Sequence, residues 1–131
     1  IGSQRLIAAL EAVKNSYNSY TVNSIAMAAG TAAVNDDDYF EATGSRVIHT
    51  RENVKNELRK LGFEVLDSQT NFLMATHPGK DMKEYFEYLK TQKVFIRYFN
   101  KPRISKYVRI TVGTDEEMDI FLKITKEFLG K

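Results

Sequence analysis

Leu6, Leu10, Val13 and Tyr17 recur at three- and four-residue intervals behind Ser3, a good helix N-cap, and predict an amphipathic helix over residues 3 to 15. Residues 16 to 21, rich in Ser, Asn and Tyr, break that pattern. An alanine-rich helix follows over residues 23 to 35, and its small side chains allow close approach, so a buried position or an interface is expected for it. Asp36, Asp37 and Asp38 put negative charge at the start of a third helix, with Glu41 three residues past Asp38 as in a capping box. Phe40, Val47, Val54, Leu58 and Leu61 mark one stripe of that helix, and Gly62 ends it. At 1.5 Å per residue, about 24 residues make an element roughly 36 Å long.

Beyond Gly62 the period shortens. Residues 63 to 66, 71 to 76, 94 to 99 and 107 to 112 are short runs of β-formers bounded by turn residues, and predict four strands. Met82, Tyr85, Phe86 and Leu89 place a helix over residues 81 to 91, between the second strand and the third. Thr114 and Glu117 form a capping box for a last helix whose Met118, Phe121, Leu122, Thr125 and Phe128 face inward until Gly130. Three helices followed by β-β-α-β-β-α describe an open α/β (α+β) sandwich with a helical arm in front.

Composition narrows the function. The 131 residues suffice for one well-buried domain, and 43% hydrophobic with 27% charged residues is the balance of a soluble globular chain. With no cysteine, neither disulfides nor thiolate chemistry enter. His49 and His77 stand far apart without a carboxylate cluster, so both are expected at the surface and no metal is expected. A net charge of +2 is too small for a nucleic-acid surface. No leader or spanning stretch is legible, which points to the cytoplasm and away from membranes. The chain opens Ile1-Gly2-Ser3 without methionine, which leaves room for a longer parent.

Alternation in the fourth strand sets Val108, Ile110 and Val112 against Tyr107, Arg109 and Thr111; in the third it sets Val94 and Ile96 against Phe95, Arg97 and Phe99. If residues 99 to 107 simply return the chain antiparallel, Arg97 and Arg109 face each other across the strands. Like charges so opposed repel, and a carboxylate or phosphate held by both guanidinium groups relieves that. The competing reading pairs each arginine with a surface acid. Asn71 either holds a turn or reaches a ligand; Tyr20 and Asn23, with Tyr17 and Asn18, either cap a helix or line a cleft. Lys101 and Arg103 belong to a solvated loop or to a mobile anion gate. No nucleophile pattern, phosphate loop or acid pair accompanies these residues. Lys14, Lys55, Lys60, Lys80, Lys83, Lys90, Lys123 and Lys126 all sit among polar neighbours, unlike a desolvated, Schiff-base-forming amine.

Leu6 through Asn23, Leu61-Gly62-Phe63-Glu64-Val65, Ser68-Gln69-Thr70-Asn71-Phe72-Leu73, Val94-Phe95-Ile96-Arg97 and, most specific, Val108-Arg109-Ile110-Thr111-Val112-Gly113-Thr114-Asp115-Glu116-Glu117 resemble the C-terminal part of the histidinol-phosphate aminotransferase family, across nearly the whole chain. The resemblance implies a fold-type I homodimeric enzyme of histidine biosynthesis that uses pyridoxal 5'-phosphate, bound as a Schiff base to a lysine of a large domain. It implies amino transfer between L-glutamate or 2-oxoglutarate and histidinol phosphate or imidazole-acetol phosphate. It assigns the anionic ends of those substrates to Arg97 and Arg109, with Asn71, Tyr20 and Asn23 as further substrate-binding candidates. Residues 1 to 35 then become the connection from the large domain, and residues 36 to 131 the small domain. The cofactor lysine, the partner of the pyridine nitrogen and most phosphate ligands would precede Ile1, leaving this chain alone inactive. Residues 18 to 23 carry extra residues against the family's commonest tyrosine-asparagine-valine-asparagine pattern. Competing expectations are a free-standing module binding anions or single-stranded RNA through Arg97, Arg109, Phe95 and Phe99, an aromatic amino-acid aminotransferase, or a phosphothreonine decarboxylase relative.

Overall fold

In a computed structural model of the protein, residues 2–17, 20 and 22–130 are described. The chain divides into two units, residues 1–40 and 41–131.

The first unit holds α1 (Gln4–Tyr17), α2 (Ser24–Val34) and the start of α3 (Asp37–Lys60). Ser3 caps α1: its Oγ accepts from the Leu6 amide at 3.4 Å and its carbonyl from the Ile7 amide at 3.0 Å. The helix runs two residues past the predicted end. Asn23 caps α2, its Oδ1 accepting from the Ala26 amide at 2.8 Å. Of the buried position or interface expected for it, α2 does not take the buried position within this chain: it buries no residue, and Ile25, Met27 and Val34 are all exposed. Small side chains permit close packing but do not supply a neighbour, and among the described residues none covers the apolar side of α2.

The cap of α3 is Asp36, whose carboxylate accepts from the Tyr39 amide at 3.1 Å. The expected box of Asp38 and Glu41 fails because Asp38 is already inside the helix, where its backbone cannot take the extended N-cap conformation. Phe40, assigned to the inward stripe, is 71% exposed, and Val47 is only half-buried. The buried side of α3 starts a turn later, with Thr50, Arg51, Val54 and Leu58.

In the second unit α3 ends at a Schellman-type turn. The Phe63 amide bonds the Leu58 carbonyl at 3.0 Å, the Gly62 amide bonds that of Arg59 at 3.0 Å, and Gly62 takes φ 101°. A Cβ at Gly62 would also stand 3.1 Å from His77 Nε2. His77, expected at the surface, is half-buried: its ring meets Phe63 edge-on at 5.0 Å and its Nδ1 accepts from the Gly79 amide.

The strands are β1 (Glu64–Val65), β2 (Phe72–Thr76), β3 (Arg97–Tyr98) and β4 (Val108–Thr111), ordered β1-β2-β4-β3 with antiparallel neighbours. Each is shorter than predicted. The 94–96 run shows the reason: Val94 is tied by its amide to the Leu89 carbonyl at the end of a helix, so it has no strand to pair with. Val65, Leu73, Ala75, Val108 and Ile110 turn to the core, where they meet Val54 and Leu58 of α3, Met82, Tyr85 and Leu89 of α4 (Met82–Thr91), and Met118, Phe121 and Leu122 of α5 (Asp115–Leu129). Alternation sends Phe72, Met74, Arg109, Thr111 and Arg97 to the opposite face.

Candidate anion site on the sheet face

Arg97 of β3 and Arg109 of β4 are direct cross-strand partners, with Met74 of β2 next in the same row. The register follows from the core: with Val108 and Ile110 fully inward, Arg109 can only point outward, and Arg97 is set opposite it. Among the described residues no carboxylate lies within ion-pair distance of either guanidinium. Four acids of this unit, Glu52, Glu57, Asp67 and Glu87, pair elsewhere, with Arg51, Lys55, Arg59, Lys60 and Lys90. The competing expectation of a surface acid for each arginine is therefore not what the chain adopts.

Aromatic rings occupy that role instead. The Arg109 Cζ lies 4.9 Å from the Phe72 ring centroid and 5.7 Å from that of Phe99; the Arg97 Cζ lies 5.3 Å from the same Phe99 ring. Such contacts contribute about 0.5–2 kcal/mol each, depending on desolvation, and leave the guanidinium edges open to an acceptor. Arg109 Nε is buried and has no hydrogen-bond partner among the described residues. A buried donor without a partner costs about 1–3 kcal/mol, so an anion arriving there gains on both charge and hydrogen bonding.

The remaining candidates fall as follows. Asn71 is exposed and gives its carbonyl to the Val112 amide at 2.8 Å, which fixes the start of β2 against β4. The turn before it is held by Ser68 and Thr70, whose hydroxyls bond the carbonyl or amide of Phe72. Tyr20 and Asn23 belong to the first unit; Asn23 takes the capping role and Tyr20 is 90% exposed. Their neighbours at positions 18, 19 and 21 lie outside the described residues. The 99–107 connection is not a bare solvated loop: Lys101 bonds back to Phe99, Ile104 and Ser105 to Lys101, and Tyr107 to Ile104, while Lys101 and Arg103 themselves are exposed.

Sequence patterns did not single out Arg51. Its side chain is almost wholly buried, with Nη1 donating to the Thr70 carbonyl at 3.0 Å and Nε to Glu52 at 3.1 Å, so α3 pins the loop that delivers Phe72 to Arg109. Beside it, hydrogen bonds from Lys55 and Arg51 hold the Glu52 carboxyl below its ordinary range, and Lys55 does the same for Asp67. In return Glu52, then Asp67, raises the Lys55 ammonium above its usual value. That is the reverse of what an amine needs to attack a carbonyl, and Lys55 is the one lysine among the described residues that is not exposed. These residues do not fit as the anchor of an aldehyde cofactor. Among the described residues no three acids or histidines gather as a metal site, and no helix is long and apolar enough to cross a membrane.

The chain has relatives among known proteins. The profile of the family described as aminotransferase class I and II matches residues 1–124. The histidinol-phosphate aminotransferase of Lactococcus lactis subsp. cremoris (strain SK11) is 48% identical over 128 residues, covering 98% of this chain and 36% of the relative. That of Clostridium botulinum (strain Okra / Type B1) is 43% identical over 131 residues, covering all of this chain and 37% of the relative. The crystal structure of histidinol-phosphate aminotransferase from Sinorhizobium meliloti in complex with pyridoxal-5'-phosphate superposes with a TM-score of 0.74 at 25% identity, over 92% of this chain and 33% of that one. This chain thus spans about a third of the length of the proteins it matches. With a fold shared with these enzymes and a profile match over nearly its whole length, the chain belongs to the aminotransferase class I and II family.

Proposed function

We propose that this chain is the substrate-gripping C-terminal part of a histidinol-phosphate aminotransferase, with residues 1 to 35 as the connection to a large domain and residues 36 to 131 as the small domain. The observation that carries the reading is the pair Arg97 and Arg109, opposed on one sheet face with no acid paired to either among the described residues. Two guanidinium groups suit a substrate set that is anionic at one end throughout: a phosphate monoester in one half-reaction, a dicarboxylate in the other. L-glutamate with 2-oxoglutarate, and histidinol phosphate with imidazole-acetol phosphate, are such a set, and the names of the relatives support it.

Pyridoxal 5'-phosphate supplies the electron sink for moving an amino group when it is bound. The lysines described here do not fit as its anchor, so in this reading the cofactor is held by the large domain, and this chain contributes binding and orientation only. Arg109 and Arg97 hold the anionic end; Phe72 and Phe99 fix the guanidinium planes. Asn71, Tyr20 and Asn23 are further substrate-binding residues in this reading. A homodimer in the cytoplasm completes the proposal.

The test is a chimera in which this chain replaces the matching third of the Lactococcus lactis relative. It is expected to transfer the amino group of histidinol phosphate to 2-oxoglutarate, and Arg109→Gln is expected to lower kcat/KM on the order of a hundredfold for both anionic substrates. The 131-residue chain alone, with added cofactor, is expected to show no transfer. A folded chimera that ignores histidinol phosphate and prefers an aromatic amine would overturn the substrate assignment.

A further inference from the structure

Phe99 touches both cations of the pair, and that contact explains how two like charges persist face to face without an acid. The Phe99 ring centroid lies 5.3 Å from the Arg97 Cζ and 5.7 Å from the Arg109 Cζ, whereas Phe72 meets Arg109 alone at 4.9 Å. Arg97 is exposed and could swing into solvent away from its partner. Arg109 is more confined, lying between two rings with a buried Nε. Among the described residues Phe99 is the ring that meets both guanidinium groups, and it stands where it opposes the outward swing of Arg97.

The backbone keeps the ring there. Phe99 directly follows β3, and its carbonyl accepts from the Lys101 amide at 2.8 Å, closing a tight turn. The turns from Lys101 to Ile104 and Ser105, then from Ile104 to Tyr107, lead straight into β4. Phe99 is therefore held at the point where the β3–β4 connection leaves the sheet, with both arginines on the strands that flank it.

We propose that Phe99 is a positioning residue for the anion site: its ring face gathers the Arg97 and Arg109 guanidinium groups into one binding-competent arrangement before any ligand arrives. This inference rests on the reading of the arginine pair as an anion site and adds a residue to it. The affinity of a site that is competent only part of the time is reduced by that fraction. With Phe99 present the gathered arrangement dominates; without the ring face, like-charge repulsion spreads the pair and binding must first bring it back together.

The experiment titrates the full 131-residue chain with inorganic phosphate, following the arginine Nε–H resonances by NMR. Phe99 is compared with phenylalanines of rising fluorination at position 99, which keep shape and volume while draining the ring face of negative charge. Phe99→Tyr and Phe99→Leu accompany them. The expected result is a stepwise fall in phosphate affinity with fluorination, reaching roughly five- to tenfold for the fully fluorinated ring and for Phe99→Leu, with Phe99→Tyr close to the parent. A space-filling role would leave the fluorinated series flat. Phosphate affinity that is unchanged or tighter across that series overturns the role of Phe99, while loss of binding in Arg109→Gln leaves the anion site standing. Binding that neither Arg97→Gln nor Arg109→Gln diminishes overturns the anion site and this inference together.

Discussion

Tyr85 is wholly buried, and its hydroxyl bonds Thr125 Oγ1 at 2.7 Å. Thr125 spends its single proton on the Phe121 carbonyl at 2.8 Å, so Tyr85 must be the donor between the two. Burial drives the Tyr85 pKa well above the ordinary tyrosine range. The sign of the pH effect follows. Below the unfolded value, near pH 10, the phenol is neutral in both states and its contribution is whole. Above it the unfolded chain releases the proton while the folded chain retains it, so stability falls as pH rises. Tyr85→Phe is expected to cost about 1 kcal/mol at pH 7 and to flatten the alkaline decline. Denaturant unfolding of both proteins at pH 7 and about pH 11 measures it; a parallel decline in the two would mean Tyr85 is not the responsible group. The acid limb has a different origin. Asp67 and Glu52 are held below their ordinary values by Lys55, so what they contribute is complete above the normal carboxylate range and is lost as pH falls through their lowered values.

Among the elements, α5 is the one most completely dictated by local chemistry, and it lies directly behind the site. Thr114 Oγ1 accepts from the Glu117 amide at 3.3 Å and Glu117 Oε2 accepts from the Thr114 amide at 2.8 Å; Gly130 closes the far end in the left-handed conformation. Gly113 is part of the same device, because a Cβ there would run into Glu117 Oε2. Thr114→Ala is expected to cost about 1 kcal/mol, or a fall of about 4–8 °C in Tm for a domain of this size. Gly113→Ala is expected to cost a similar amount in the parent but much less in a Glu117→Ala background, since the clash and the bond involve the same carboxylate. Thermal melts of the four proteins decide it; additive losses would show that Gly113 is needed for something other than room beside Glu117.

Both ends of α5 were legible in the sequence because a cap is a local arrangement of three or four residues. The inward alternation of β4 was legible for a similar reason, and with it the outward side chain of Arg109. The start of α3 was not, since three consecutive aspartates all satisfy a cap and only backbone conformation selects Asp36. Nor was the aromatic seat of the arginines. Phe72 comes under Arg109 through the pairing of β2 with β4, and Phe99 reaches it through the pairing of β3 with β4. Alternation within one strand says which way a side chain points but not which residue of the next strand stands beside it. Arg51 escaped for another reason: on a helix rich in charge, a buried guanidinium looks like a solvated one until the Thr70 carbonyl it serves is in place.

At the scale of the molecule the two units differ in what holds them together. Among the described residues all the fully buried side chains lie in 41–130, whereas every described side chain of α1 and α2 is exposed, Leu6, Leu10, Val13, Ile25, Met27 and Val34 included. Helices of 14 and 11 residues with no buried face have only their own hydrogen bonds and caps, and in water that is marginal at about 12–15 residues. Hydrogen exchange in the isolated chain is therefore expected to show slow amides in β2, β4, α4, α5 and the second half of α3, and little protection in α1 and α2. In the chimera with the Lactococcus lactis relative, the same α2 amides are expected to slow, because the apolar positions of α2 would then be covered. Protection of α2 equal to that of β2 in the isolated chain, unchanged on dilution, would mean that the helix is stabilised without cover and that its exposed apolar side chains need another explanation. Protection that disappears on dilution would instead identify contact between copies, driven by the same uncovered surface.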